Sequence, residues 1–296
     1  MTGRRAALGA LIALAVLAVL GGAACSSPQP HWSPPTADLW LLGEVHDNAA
    51  LHALRLQSVQ ALLDQGARPA LLMEQFDRQQ QSQIDRLQQA APGVAPGVAP
   101  GVAPDAAARD ATVEALVQLG GGATSGWQWD FYRPYLRLAL RYQLPLVAAN
   151  VSRSDARALM AQGLAALGFE AAVPPDIGAA QAGQIGRSHC GQIDAAQAGR
   201  MATAQVARDQ FMARQVVAQA GRGVLLLAGN GHLRKDVGVP RWLPPALQAR
   251  TRVVGFVEAD GGEEGAAAAY DQTVSAPAAP RADPCAAMRP AAAPAR

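Results

Sequence analysis

Short apolar runs alternate with longer segments of helical periodicity along this 296-residue chain, and that alternation restricts its fold more than any other feature. The six runs with the length and composition of buried strands are residues 38–42, 69–73, 144–148, 223–228, 250–258 and 270–274. The segments with apolar residues at helical spacing are residues 48–65, 77–90, 105–119, 133–142, 155–167 and 195–220. This order predicts an α/β fold: a single domain with a mostly parallel sheet covered by helices on both faces.

Three segments depart from this alternation. Residues 91–104 repeat the tetrapeptide Ala-Pro-Gly-Val, and a proline every fourth residue cannot continue a helix or a central strand, so we predict a loop insertion. Residues 172–192 lack a clear period and are predicted to be irregular. We place the folded domain at residues 38–275 and expect the Pro- and Ala-rich residues 276–296 to form a loose tail.

The first 24 residues have the order of charged, apolar and small residues found in a secretory signal peptide. Arg4 and Arg5 precede an uncharged apolar run, residues 6–20, which is short for a membrane-spanning helix. Small residues then lead to Cys25, as in a lipoprotein cleavage site. We favour lipid attachment to Cys25, and the alternative is ordinary cleavage close to the same point, which would leave an unanchored protein.

Lipid attachment would make residues 25–37 a proline-rich tether that holds the domain off an envelope membrane, on its periplasmic side. Ser26, next to Cys25, favours the outer membrane over the inner one by the usual bacterial sorting rule. Without the signal, 23 basic residues balance 23 acidic ones, so no basic excess indicates nucleic-acid binding. A homodimer is compatible with this composition.

The remaining cysteines leave three alternatives open. Cys190 and Cys285 could form a disulfide in an oxidising compartment, which we favour slightly. Both could instead be free thiols, or Cys190 could belong to a site. His189 lies beside Cys190 and resembles a soft metal-binding pair, although further ligands at the spacing of a zinc site are lacking.

Polar side chains follow four of the predicted strands at the point where each strand ends. Ligands of open α/β sheets bind beyond the carboxyl ends of the strands, so we expect these side chains to form one site. They are Glu44 and His46 after the first run, Glu74 after the second, Asn150 and Arg153 after the third, and Asn230 and His232 after the fourth. Asp209, on the last predicted helix, could face the same edge. Carboxylates and imidazoles bind divalent metal ions, and the candidate metal ligands are Glu44, His46 and His232.

Each candidate has a structural alternative. Glu44 could form a buried ion pair with Arg153, and His46 could cap the helix that follows it. His52, inside that helix, could point back toward His46 or simply be packed. The aromatic residues between positions 127 and 135 could line a cavity for a flat ligand, or they could pack in the core.

The order of these segments resembles the ChaN-like haem-binding lipoproteins, over about residues 38–285. The matching blocks are Leu42-Gly43-Glu44-Val45-His46-Asp47, 129–134, 147–153, 188–191, 208–213, Ala228-Gly229-Asn230-Gly231-His232, 238–240 and 283–285. The resemblance implies an envelope lipoprotein that binds haem or an iron complex in iron uptake. It also implies a wider superfamily that includes Tiki, TraB and erythromycin-esterase-type proteins.

The resemblance carries over pocket positions, which are Glu44, His46, Glu74, Asn150, Arg153, Asp209 and His232. The iron-ligating tyrosine of the family has its nearest match, by motif, in Tyr132. Haem propionates would bind Arg153 or Arg133. A binding protein is therefore favoured over an enzyme. The alternative is a metal-dependent hydrolase that uses the Glu and His residues at the strand ends, or direct acid–base catalysis by His46.

Overall fold

The computed structural model describes residues 38–91, 106–259, 266–283 and 285–286. The predicted signal peptide, the predicted tether and the predicted lipidation site at Cys25 lie outside these residues, as does nearly all of the repeat. Within them, the strands are β1 (Leu39–Leu42), β2 (Ala70–Asp77), β3 (Leu146–Asn150), β4 (Val224–Leu227), β5 (Thr251–Glu258) and β6 (Gln272–Ala276). They form one sheet in the order β3-β2-β4-β1-β5-β6, and every pairing is parallel. The predicted α/β class is confirmed.

Helices connect the strands and cover both faces of the sheet. The helices of the described residues are α1 (Ala49–Asp64), α2 (Gln81–Ala90), α3 (Ala106–Leu119), α4 (Arg133–Arg141), α5 (Arg153–Gln162), α6 (Pro175–Ser188), α7 (Ala195–Gln219), α8 (Asn230–Leu233) and α9 (Pro245–Gln248). Side-chain caps fix where several of them begin, because an oxygen at the first position accepts a backbone N–H that has no helical partner. Asn48 caps α1 in this way, Asp194 caps α7, and Ser152 forms a capping box with Asp155 at α5.

Alternate residues of each central strand enter two different cores. In β1, Trp40 and Leu42 pack in the core that contains residues of α1, α3 and α4, while Leu39 and Leu41 pack in the core that contains residues of α7. Burial on both faces explains why these strands are continuous apolar runs. None of the helices within the described residues is both long and apolar enough to cross a bilayer.

The prediction that residues 172–192 are irregular is wrong, because α6 occupies most of them. Pro175 begins this helix at a position that tolerates proline. Ile177, Gln181 and Ile185 recur at four-residue spacing and are buried. Only two of these three are apolar, and the remaining face is rich in alanine and glycine, so the periodicity is weak in the sequence.

The C-terminal strap, residues 277–283 with Cys285, is held to the domain. The carbonyl of Pro277 accepts a hydrogen bond from Asn48, and Arg281 forms ion pairs with Asp47 and Glu258 at 2.7 Å each. A disulfide joins Cys285 to Cys190, just after α6. The disulfide leaves no thiolate at Cys190, so the idea of a soft metal pair with His189 is wrong.

Candidate ligand site at the carboxyl edge of the sheet

The site lies where β1 and β4, the two central strands, end side by side. Gly43 follows β1 and approaches Asn230 so closely that a Cβ at position 43 would lie 2.0 Å from the side-chain oxygen of Asn230. That oxygen accepts from the backbone N–H of Phe256, and the amide nitrogen of Asn230 donates to the carbonyl of the same residue. Asn230 therefore ties the β4 loop to β5, and it also borders the site.

Glu44 is the centre of a buried polar cluster behind the site. Its side chain is about 1% exposed, and its Oε1 accepts hydrogen bonds of 2.6 Å from the hydroxyl of Tyr132 and from Nδ1 of His46. The fully buried guanidinium of Arg55 pairs with Oε2. Burial alone would raise the pKa of Glu44, but Arg55 and the His46 hydrogen bond lower it to about 2, so this carboxylate stays ionised.

Arg55 is the residue that the sequence analysis missed in this cluster. The predicted partner of Glu44, Arg153, is exposed and donates instead to the carbonyl of Ser125. Arg55 also donates to the hydroxyl of Tyr135 at 3.1 Å. A single arginine on the apolar face of α1 was the available signal, since a guanidinium is rarely buried without a carboxylate partner.

Tyr132 does not fit the predicted role of an iron ligand. Its side chain is fully buried, and its hydroxyl is committed to Glu44. Burial and the charge of Glu44 raise the pKa of Tyr132, which opposes formation of a tyrosinate. His52 is also packed behind the site, stacked on Phe131 with ring centroids 4.3 Å apart. Burial and Arg55 lower the pKa of His52 to about 4.

His232 forms a second imidazole–carboxylate pair. Its Nδ1 lies 2.6 Å from Oδ1 of Asp209, which is fully buried on α7 and also accepts from Gln181. Burial raises the pKa of Asp209 to about 6, against the opposing effect of His232. Burial alone would lower the pKa of His232, but the charges of Asp209 and Glu74 raise it.

Glu74 lies between the two imidazoles. Its Oε2 accepts the backbone N–H of Gly229 at 2.8 Å, and its Oε1 is 3.6 Å from Nε2 of His232. A Cβ at position 229 would lie 3.2 Å from Nε2 of His46 and 3.7 Å from Oε2 of Glu74. The His46 side chain is 52% exposed. Burial tends to lower the pKa of His46, and the bond to Glu44 with the charge of Glu74 raises it overall.

The proposed metal set of Glu44, His46 and His232 is not formed. Both oxygens of Glu44 are directed at Tyr132, His46 and Arg55, so none is left to share a metal ion with His232. Among the described residues, no three or more His, Cys, Asp or Glu side chains are grouped closely enough to hold one metal ion. The metal-dependent hydrolase therefore has no support in this geometry.

Two adjoining cavities open at this edge of the sheet. The first cavity, of about 650 Å³, lies between the loop after β1 and α6, and its wall includes Val45, Gln184 and Ile185. The second cavity, of about 670 Å³, lies toward α5, and its wall includes Glu74, Asn150 and Arg153. The residues that border both cavities are His46, Trp127, Gln205 and His232.

The aromatic segment divides between the cavities and the core. Trp127 borders both cavities and meets the His46 ring edge-on at 5.0 Å, whereas Trp129, Tyr132 and Tyr135 are buried in the core. Asn150 borders the second cavity, although its side chain is used locally: it donates to the carbonyl of residue 74 and accepts from the N–H of residue 151. The sequence thus placed most of the predicted residues at one edge, but it did not separate those facing a cavity from those behind it.

Comparison with known proteins agrees with this architecture. The family described as haem-binding uptake, Tiki superfamily, ChaN matches residues 35–243, well over half of the chain. No curated protein matches the chain. A solved structure described as cofacial heme binding to ChaN of Campylobacter jejuni is 18% identical, covers 77% of this chain and 84% of that one, and has a TM-score of 0.57. At that identity the likeness is one of fold.

Two further solved structures are more distant. The type III effector HopBA1 is 13% identical, covers 81% of this chain and 88% of its own, and has a TM-score of 0.41. The toxin effector domain RRSP of Vibrio vulnificus is 14% identical, covers 75% of this chain and 33% of its own, and has a TM-score of 0.37. The match over residues 35–243 shows that this chain belongs to the family described as haem-binding uptake, Tiki superfamily, ChaN.

Proposed function

We propose that this protein binds haem, or a similar iron complex, in the first cavity, with His46 as the iron ligand. The observation that carries the proposal is the half-exposed His46 ring, whose Nδ1 is held by the buried carboxylate of Glu44. Nε2 is then the ring nitrogen left for a ligand. A carboxylate on the far nitrogen orients a metal-binding histidine and increases its basicity. Imidazole is also a common axial ligand of haem iron.

The size and lining of the first cavity suit a largely apolar ligand. Its volume is within the range of small-molecule sites, and its wall combines Val45, Ile185 and Trp127 with the polar side chains of α6. Trp127 stands edge-on to His46, so its indole can contact a planar ring system held at the imidazole. The family match and the cofacial haem binding described for the Campylobacter protein support haem as this ligand.

A haem titration followed by absorbance of the Soret band tests the proposal on the purified full chain. We expect saturable binding, and we expect His46→Ala to weaken it by about tenfold or more because an iron–imidazole bond is lost. His189→Ala is the matched control, since this histidine bonds to the carbonyl of Ile185 and borders neither cavity. Tyr132→Phe distinguishes His46 from Tyr132 as the iron ligand. The Tyr132 hydroxyl is buried and bonded to Glu44, so its removal should leave the Soret band unchanged. Unaltered binding by His46→Ala would refute the assignment.

The cellular role follows as part of the same proposal. We propose a lipoprotein anchored through Cys25 at the periplasmic side of the envelope, with the outer membrane favoured, that serves iron or haem uptake. The Cys190–Cys285 disulfide supports an oxidising compartment. Mass spectrometry of the mature chain tests the lipid, and sedimentation with and without haem tests the homodimer.

A second candidate function is acid–base hydrolysis without a metal ion. The observation that favours it is the pair of imidazoles, each bonded through Nδ1 to a buried carboxylate, with Glu74 between them. Such pairs can move a proton to and from a reacting group. A panel of ester and amide substrates, assayed in the presence of a chelator, would show turnover that Glu74→Gln and His232→Ala abolish. If the wild-type chain turns over none of them, this candidate is rejected.

A further inference from the structure

The second cavity is bordered by three arginines that have no part in the proposed iron ligation by His46 or in the two imidazole–carboxylate pairs. Arg153 and Arg157 project from one face of α5 at four-residue spacing, and Arg208 faces them from α7. Within the part of the chain that the structure describes, none of these three guanidinium groups forms an ion pair with a carboxylate. Three guanidinium groups that border one cavity without carboxylate partners form a positively charged wall.

Gln75 adds an independent observation at the same cavity. Gln75 borders the cavity, and only 3% of the residue is exposed. Both the amide nitrogen and the amide oxygen lack a hydrogen-bond partner among the described residues. A buried amide with neither group satisfied is costly, and such exceptions in native proteins call for an explanation. A bound ligand that accepts a hydrogen bond from Nε2 would provide one.

Arg208 is held in a position to take part. Its Nη1 donates to Oε1 of Gln205 at 2.8 Å, and Gln205 also borders the cavity. Its Nε is buried and has no hydrogen-bond partner among the described residues. The planar guanidinium group binds phosphate or carboxylate oxygens with two parallel hydrogen bonds, so an oriented arginine with an unused donor suits an oxyanion.

Two carboxylates also border the second cavity and must be set against these cations. Glu74 is engaged by the N–H of Gly229 and lies next to His232. Burial and the charge of Asp155 raise the pKa of Asp77, while the charges of Arg208 and Arg153 act in the opposite direction, so Asp77 is a nearby carboxylate that partly offsets these two cations. Three guanidinium groups therefore exceed two carboxylates, and His46 and His232 border the same cavity.

We infer that the second cavity is an oxyanion site, in which Arg153, Arg157 and Arg208 bind a phosphate or carboxylate group and Gln75 donates a further hydrogen bond. The inference stands without haem, because it rests on groups that face the second cavity. Two sources could supply the same chemistry. One is a propionate of haem bound in the adjoining first cavity, in which case the inference rests on the proposed function, and the other is a separate organic phosphate.

Titration calorimetry with inorganic phosphate on the purified full chain is the direct test. We expect saturable binding that Arg208→Gln weakens about tenfold, the loss expected for one charge-assisted hydrogen bond. Arg133→Gln is the matched control, because the structure pairs Arg133 with Glu114 and Asp130 and places it at neither cavity, so the expectation that Arg133 would bind a propionate is wrong. Its affinity for phosphate should equal that of the wild type.

Gln75→Met distinguishes a ligand-binding role from a structural one. Methionine is close in shape and removes two unsatisfied polar atoms, so the melting temperature of the free protein should stay constant or rise. The affinity for phosphate should fall at the same time. A lower melting temperature with unchanged affinity would mean that Gln75 serves the fold, and it would count against the site.

A comparison of haem with haem dimethyl ester identifies the source of the oxyanion. If propionate is the natural group, the ester binds more weakly than haem. Arg208→Gln then weakens the binding of haem and leaves the binding of the ester unchanged. If haem and its ester bind equally while phosphate saturates, the site takes a separate phosphate compound. The oxyanion site is overturned if neither the phosphate affinity nor the difference between haem and its ester depends on Arg208. Failure of haem to bind at all leaves the phosphate result intact and rejects only the haem proposal.

Discussion

The two sides of Glu44 contrast sharply in how their polar groups are satisfied. Behind it, Arg55, Tyr132 and Tyr135 are fully buried and bonded to one another or to Glu44. In front of it, His46 is half exposed, and Gln75 at the second cavity has two polar atoms without hydrogen-bond partners among the described residues. The groups behind Glu44 are bonded to one another and hold the site in place, whereas His46 and Gln75 border the cavities.

The substitution with the largest expected effect on stability removes Arg55, the cation behind Glu44. Arg55→Met leaves Glu44 as a buried carboxylate without its counter-charge, and we expect a loss of about 3–5 kcal/mol in the free energy of unfolding. Denaturant titration measures this loss. The control is Arg153→Met, an exposed arginine at the cavity, which should change stability by about 0.5 kcal/mol or less. Equal effects of the two substitutions would abolish the distinction.

The second test uses pH. The pKa of His52 falls from its usual 6.5 to about 4 in the folded protein, so below pH 6.5 the unfolded chain takes up a proton that the folded chain does not. Stability contributed by neutral His52 is therefore complete above pH 6.5 and is lost as the pH falls toward 4. The loss amounts to about 3 kcal/mol. Unfolding free energies measured across this window should decline less steeply for His52→Asn than for the wild type, and parallel curves would contradict the prediction.

A third test compares Gly43, which contacts a structural side chain, with Gly229, which contacts the half-exposed His46. A Cβ at Gly43 would overlap Asn230 and displace the side chain that holds Phe256, so Gly43→Ala should cost about 2 kcal/mol. A Cβ at Gly229 would instead meet the half-exposed ring of His46, which can move. Gly229→Ala should therefore cost about 1 kcal/mol or less, and it should alter the Soret band of the haem complex. Thermal unfolding and haem spectra of both variants decide this.

His46→Ala tests the other side of the contrast and should have only a small effect on stability. Glu44 keeps Arg55 and Tyr132 as partners, and the removed ring is half exposed, so the cost should be about 1 kcal/mol or less. Haem affinity should nevertheless fall strongly. A large loss of stability, measured by denaturant titration, would place His46 with the structural residues behind Glu44.

Sequence patterns were sufficient to predict the fold and the edge of the sheet on which the site lies. Apolar runs mark strands buried on both faces, and glycine with polar residues marks where strands end, so β1 to β6 and the positions of Glu44, Glu74 and His232 could be predicted. Orientation at a strand end is set by three-dimensional neighbours. The sequence therefore could not show that the Tyr132 hydroxyl points into the core while His46, two residues from Glu44, points outward.

Residues without a distinctive local pattern were missed for the same reason. Arg55 lies in the middle of α1, and the carboxylate that pairs with it belongs to Glu44, 11 positions away in the sequence. Gln75 lies in a strand that continues past the predicted end to Asp77. α6 has a face rich in glycine and alanine, so its periodicity is faint, although it supplies Gln184 and Ile185 to the first cavity.

His46, Trp127, Gln205 and His232 form a partition common to both cavities. A ligand that reorients or protonates an imidazole in this partition from one side changes the surface that a ligand meets from the other. Thermodynamic linkage requires such coupling to be reciprocal: whatever factor an oxyanion applies to the affinity for haem, haem applies to the affinity for the oxyanion. The concentration of the compound in one cavity then controls how readily the ligand of the other cavity binds and dissociates.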